Sequence, residues 1–189
     1  MHEIEPYYNW RDIYVAANDS DSPFYDREYS EFTFSNAIYN HLIHPQWDEF
    51  GSQTLFIKIL ITNYEQQYCI IEMIGEWNDL LYNDIMYFYR DVIETLLEKD
   101  IKYFILIGEN VFNFHGDTND YYEEWFDNIG DGWIVGVNFR DFVIQEFEEW
   151  NIDYFIAFKG EFDDIAWRKL LPNQLFDKIN SIITKRLNI

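Results

Sequence analysis

From Thr54 to the C-terminus the chain alternates runs of β-branched and aromatic residues with amphipathic stretches of helical period. That alternation restricts the fold more than any other feature. "TLFIKILITN" and "QYCIIEMIGEW" are β-rich runs separated by "YEQQ", the pattern of an antiparallel hairpin. In "NDLLYNDIMYFYRDVIETLLEKD", Leu81, Ile85, Phe88, Val92 and Leu96 recur at spacings of three and four, the apolar stripe of one helix. "KYFILIG" is a continuous apolar run, as a strand covered on both faces requires. In "NDYYEEWFDNIGDG" Asp120 is placed to cap a short helix, with Glu123 three residues on and Gly130 and Gly132 ending it. "WIVGVNF" reads as the next strand, and Asn138 as the cap of a helix with Asp141 three residues on and Phe139, Phe142, Val143, Phe147 and Trp150 facing inward. "DYFIAFKG" reads as a further strand and Asp163 as the cap of a short helix through Trp167. Pro172 suits the first position of a last helix, with Leu175, Phe176, Ile179, Ile183 and Leu187 as its inner stripe. The order predicts an α/β fold: a mixed, mostly parallel sheet with an N-terminal β-hairpin and helices packed on it, in one domain.

That α/β domain spans residues 51–189. Residues 1–50 read as an irregular segment packed on its body, because "ANDSDSPFYDREYSEFTF" is rich in turn formers. Tyr29, Phe32 and Phe34 are the expected anchors, and "SNAIYNHLIH" the expected short helix, ended by Pro45.

Charge narrows the partners. Asp and Glu number 35 against 13 Lys and Arg, a net charge of −22, while hydrophobic content is an ordinary 48%. A folded acidic protein is the consequence, one that repels nucleic-acid phosphate and anionic membrane surfaces and favours basic partners. No apolar run approaches a bilayer span and the N-terminus has no signal core, so a cytoplasmic location is expected. Aromatic residues make up 21% of the chain, and rings with a polar tip suit interfaces. The single cysteine, Cys69, sits among apolar strand residues and reads as a buried, inert thiol. Residues 109–153 hold twelve Asp or Glu with Arg140 as their one base, a run read as solvated helix faces.

The stretch "KYFILIGENVFNFHGDTNDYYEEWF", together with the order of elements from Leu55 to Phe158, resembles the STAS domains of anti-sigma-factor antagonists. There a central strand runs into a loop with an Asp followed by Ser or Thr, and a helix follows. The resemblance implies a regulatory protein and a phosphorylation switch at Asp117–Thr118, with Thr118 the acceptor. The Ser-Gly sequence typical of the helix start is absent here, and Asn119 and Asp120 surround the position.

In open α/β sheets ligands gather at the carboxyl ends of parallel strands. That rule selects Glu109, His115, Arg140 and Lys159 as candidates for a small-molecule or catalytic site at one sheet edge. His41 and His44, three residues apart on the expected helix, are candidate metal ligands, as is the pair His115 and Asp117. No phosphate-loop or serine-nucleophile motif is present, and no cofactor is implied. The balance predicts a non-catalytic protein acting through contacts with a protein partner, basic in charge or a second copy of the chain. The alternative is a small-molecule binder or enzyme at the strand ends.

Overall fold

The computed structural model describes residues 2–34 and 36–187. Its body is a four-stranded sheet of β4 (Leu55–Asn63), β5 (Tyr68–Asn78), β6 (Tyr103–His115) and β7 (Trp133–Val137), side by side in that order. A smaller sheet precedes it: β1 (His2–Ile4), β2 (Asn36–Ile38) and β3 (His41–Ile43), with β3 in the middle. β4 pairs antiparallel with β5, while β5–β6 and β6–β7 are parallel. The fold is therefore α/β with a mostly parallel sheet opened by a hairpin.

Strand alternation sends side chains to two faces, and both are covered. On one face Ile57, Ile59, Cys69, Ile71, Phe104, Leu106 and Ile134 pack against α2 (Asp84–Phe88), α3 (Glu94–Leu97), α4 (Asp120–Asn128) and α5 (Asp141–Glu149). On the other, Tyr68, Ile70, Ile105, Ile107, Val135 and Val137 meet the inner side of α6 (Pro172–Leu187), together with Trp10, Phe162 and Trp167. Burial on both faces explains why the central strands carry long apolar runs without alternation. The Cys69 thiol is fully buried, and burial pushes its pKa up to about 12. No helix among the described residues is long and apolar enough to cross a membrane.

Several elements differ from the sequence-based expectation. β6 does not end at Gly108 but runs on to His115, because β5 continues beside it and pairs Ile74 with Asn110 through to Asn78 with His115. β7 stops opposite Ile107, while β4 stays paired with β5 as far as Gly75, so only Glu76–Asn78 and Asn113–His115 run on as a two-stranded ribbon. This end of the sheet is covered by the small sheet, where Ile38, Ile43 and Trp47 cluster with Phe56 of β4 and Ile74 of β5. Residues 36–44 are accordingly a β-hairpin and not a helix, since their apolar side chains serve that contact; Ser35 lies outside the described residues.

The stretch after β5 is also not one straight helix. α1 (Asp79–Tyr82) stops at Asn83, which adopts the left-handed conformation (φ 54°) before α2 begins. The break resets the helical phase, so Leu81 points to solvent at 70% exposure while Leu96 is fully buried. Residues 153–160 form a 3-10 turn and a single bridge from Ala157 to Val135 in place of a full strand. Asn138 does not cap α5. It takes φ 56° and holds the loop before Trp167 by two bonds to the Ile165 backbone, at 2.9 and 2.8 Å. Asp120 lies inside α4, whose cap position is Asn119. Residues 163–167 form no α-helix; 3-10 turns at Gly160–Phe162 and Trp167–Lys169 flank them.

Candidate functional site

Two charged residues interrupt otherwise apolar strands: Lys58 in "LFIKILI" and Glu72 in "CIIEMI". They stand opposite one another in the β4–β5 register, so they share a face of the sheet. Both are buried, Lys58 at 7% and Glu72 at 0% exposure. A buried charge requires partners, and residues 1–50 supply them.

Asp48, itself fully buried, is the first partner. Its backbone extends the edge of β4 through paired bonds with Ile57, 2.8 and 3.1 Å long. This fixes its carboxylate 3.2 Å from the Lys58 ammonium and 3.2 Å from the Arg27 guanidinium. The Tyr29 hydroxyl also donates to Asp48, and the Tyr29 ring lies 3.9 Å beneath the Lys58 nitrogen. Arg27 is held further by the Glu49 carbonyl at 2.8 Å. Burial lowers the Lys58 pKa from its ordinary value; Asp48 opposes that shift, and the nearby charges of Arg11 and Arg27 add to it. Burial and the Asp48 charge raise the Tyr29 pKa, so its hydroxyl keeps its proton.

Lys58, Arg27 and Tyr29 line a cavity of about 240 Å³ between β4 and the N-terminal segment, with Asp48 outside its lining. Arg11, Arg27 and Lys58 line it with the rings of Tyr7, Trp10, Tyr14 and Tyr29, and Asn18 and Gln46 add amides. No Asp or Glu is among its lining residues. Arg11 is half-exposed, and among the described residues its one ion pair is a 3.5 Å contact with the equally exposed Glu5. A larger groove of about 530 Å³ between Ile13, Tyr68 and Leu171 carries Glu65 as its one charged residue, and a cavity of about 380 Å³ around Trp47 mixes Arg27 with Glu28 and Glu49. Neither of these two shares the cation enrichment of the cavity at Lys58.

Glu72 has its own partners. It accepts from the Tyr7 backbone N–H at 2.8 Å and lies 3.4 Å from Arg168. Burial raises its pKa to about 7, against the opposing effects of that hydrogen bond and of Arg168. Arg168 also pairs with Glu109 and packs over the Trp167 ring at 4.3 Å. Asp48 and Glu72 together therefore fasten residues 7–29 across the hairpin.

A second buried acidic group lies where β5 ends. Asp79 accepts from Tyr122 (2.6 Å), Ile85 N–H (2.9 Å) and Trp77 (3.0 Å), while Asp84 accepts from Asn78 N–H at 2.8 Å. Burial raises Asp79 to about 7 and Asp84 to about 6. Asp84 Oδ1 makes no hydrogen bond of good geometry, and the neighbouring Ser52 hydroxyl only partly offsets its desolvation. The arrangement braces the α1–α2 junction and adjoins none of the cavities described above.

The residues selected from strand ends each have a partner of their own. Glu109 holds Arg168; His115 lies 3.7 Å from Glu76; Arg140 stacks 5.5 Å over Phe112; and Lys159 pairs with Glu148. Among the described residues no hydrogen bond or ion pair joins any two of the four. Thr118 is exposed, two residues before α4. His41 lies in β3, where its ring stacks on Phe112 at 4.7 Å, and His44 accepts from Gln46 N–H at 3.1 Å. The helical spacing that made them a ligand pair is absent, because β3 is extended.

Sequence reasoning missed Lys58, Asp48, Arg27 and Arg11 as a group. The usable signal was the lone Lys in an apolar strand, which has to be buried with a counter-charge. No family model matches the chain, and no curated protein and no solved structure shows significant similarity to it.

Proposed function

We propose that the protein is a non-catalytic binding module for a small anionic molecule with an apolar or aromatic body, taken up in the cavity at Lys58. The observation that carries this reading is the lining: three of the 13 basic residues and none of the 35 acidic ones. In a chain of net charge −22, Arg11, Arg27 and Lys58 around one cavity are a local concentration of cations. Asp48 balances one of the Arg27 and Lys58 charges from behind, and Arg11 remains available to a ligand carboxylate or phosphate. The cavity lies at the small end of ligand sites, so a metabolite-sized molecule fits it. The proposal keeps the small-molecule function but moves it from the strand ends to the edge of β4.

The test is calorimetric titration with benzoate and with inorganic phosphate, alongside Trp10 fluorescence. Benzoate is expected to bind, more weakly at high salt, as a screened charge contact should. Arg11→Gln is expected to weaken it about tenfold, the equivalent of roughly 1.4 kcal/mol, with little change in stability. Absence of any saturable binding by either anion would remove the reading.

A second reading, contact with a partner protein, is favoured by one observation. Tyr8, Ile13, Tyr25, Phe32 and Tyr39 are all more than half exposed, Phe32 at 88%, and all lie in the first 39 residues. A phosphorylation switch at Thr118, as the STAS resemblance implies, would belong to that reading. Size-exclusion chromatography with light scattering, before and after Phe32→Ser, tests the second-copy form of it. A monomer in both would count against self-association.

A further inference from the structure

We propose that Lys58 forms a reversible covalent imine with a small 2-oxo carboxylate bound in the cavity. This rests on the anion-binding reading above and adds chemistry to it. Three geometric features point the same way. Lys58 lines the cavity, together with the Tyr29 ring against which its amine is set. Its position is fixed from two sides, by Asp48 at 3.2 Å and by the Tyr29 ring at 3.9 Å. Arg11 and Arg27 line the same small space, where a carboxylate adjoining the carbonyl would be held.

Electrostatics support the assignment. Burial holds the Lys58 amine below its ordinary pKa, with Arg11 and Arg27 contributing, which raises the neutral fraction that can attack a carbonyl. Lys99, Lys102 and Lys159, in contrast, are half-exposed, ion-paired to Asp21, Asp131 and Glu148, and held above theirs. A purely structural lysine would need only the Asp48 pair; it would have no need of a cavity with two further cations.

The chemistry balances without an oxidant or reductant. The ammonium gives a proton to Asp48, and the neutral nitrogen adds to the ketone carbon. A C–N bond forms as the C=O π bond breaks, and one N–H proton passes from the nitrogen to the carbonyl oxygen, giving the carbinolamine. The proton held by Asp48 then passes to that hydroxyl, which leaves as water while the nitrogen lone pair forms the C=N bond of a protonated imine beside the Asp48 carboxylate. Hydrolysis reverses each step.

The experiment uses the wild-type full chain with pyruvate and sodium cyanoborohydride, which traps an imine as a stable secondary amine. Intact-mass analysis and peptide mapping read the site and rate. One adduct is expected, on Lys58, forming at least about tenfold faster than on Lys99, Lys102 or Lys159. It should be lost in Lys58→Arg with the fold retained by circular dichroism, and slowed by lactate, which has the carboxylate but no ketone. Acetone, with the ketone but no carboxylate, should label far more slowly. Adducts spread over the exposed lysines with Lys58 spared would overturn the inference. If benzoate and lactate still bind in that case, the anion site stands and only the covalent step falls. If they do not bind either, both fall together.

Discussion

At the scale of single residues, the positions that matter most are those where the chain tolerates no alternative. Gly75 is one. It sits at an irregularity in the β5–β6 register with φ +121°, and a Cβ there would lie 2.0 Å from the Thr54 carbonyl oxygen. Both the backbone angle and the contact exclude a side chain. Gly75→Ala is expected to destabilise the protein by on the order of 3 kcal/mol, read as a lower urea midpoint at unchanged slope. A loss below about 0.5 kcal/mol would mean that the neighbouring strands relax around the methyl group. Lys58 and Glu72 are residues of a different kind, since each has a legible signature. A charge inside an apolar strand announces a buried partner, but the partner's identity depends on how residues 1–50 fold back, and no local pattern in that segment reports it.

At the scale of elements, apolar periodicity located the hairpin, the central strands and α4 to α6 but misjudged where they stop. β6 ran on because β5 stayed beside it, a tertiary reason invisible in "GENVFNFH" alone. The stripe from Leu81 to Leu96 shows the same limit. All five residues keep the spacing, yet the left-handed turn at Asn83 turns the first of them outward. The two ends of that stripe should therefore respond differently to truncation. Leu81→Gln is expected to change stability by less than about 0.5 kcal/mol. Leu96→Ala, which opens a hole beneath the sheet, should cost roughly 2–5 kcal/mol. Equal losses at the two sites, measured by thermal unfolding, would show that the helix is continuous in solution. The strand-end rule pointed to four residues that the fold gives to four separate pairings, whereas the cavity formed where a long N-terminal segment crosses an edge strand.

At the scale of the whole molecule, the dominant quantity is negative charge, and the buried carboxylates decide how stability follows it. Glu72, Asp79 and Asp84 have folded pKa values of about 7, 7 and 6, each raised first by burial. In the unfolded chain such groups titrate near 4. Between those limits the native state holds protons that the unfolded state has released. Stability from these three groups is thus fully present below about pH 4 and is lost as the pH climbs through 6 to 7, each proton contributing a slope of up to about 1.4 kcal/mol per pH unit. Glu76 works in the opposite sense: its pKa is lowered by bonds from Tyr39 and Asn78, which outweigh its partial burial, so its contribution fades in acid. Self-repulsion among the remaining surface carboxylates also eases as the pH falls. The sum places maximal stability near pH 5, on the acid side of neutrality. Thermal unfolding from pH 4.5 to 8.5 should show a melting temperature that falls with pH across 5 to 7. Glu72→Gln should flatten that fall, because an amide can still accept from Tyr7 N–H while releasing no proton. A melting temperature that rises from pH 5 to 8 would mean that these carboxylates are ionised and fully compensated in the native state, and that the N-terminal segment is held over the hairpin by charge pairing alone.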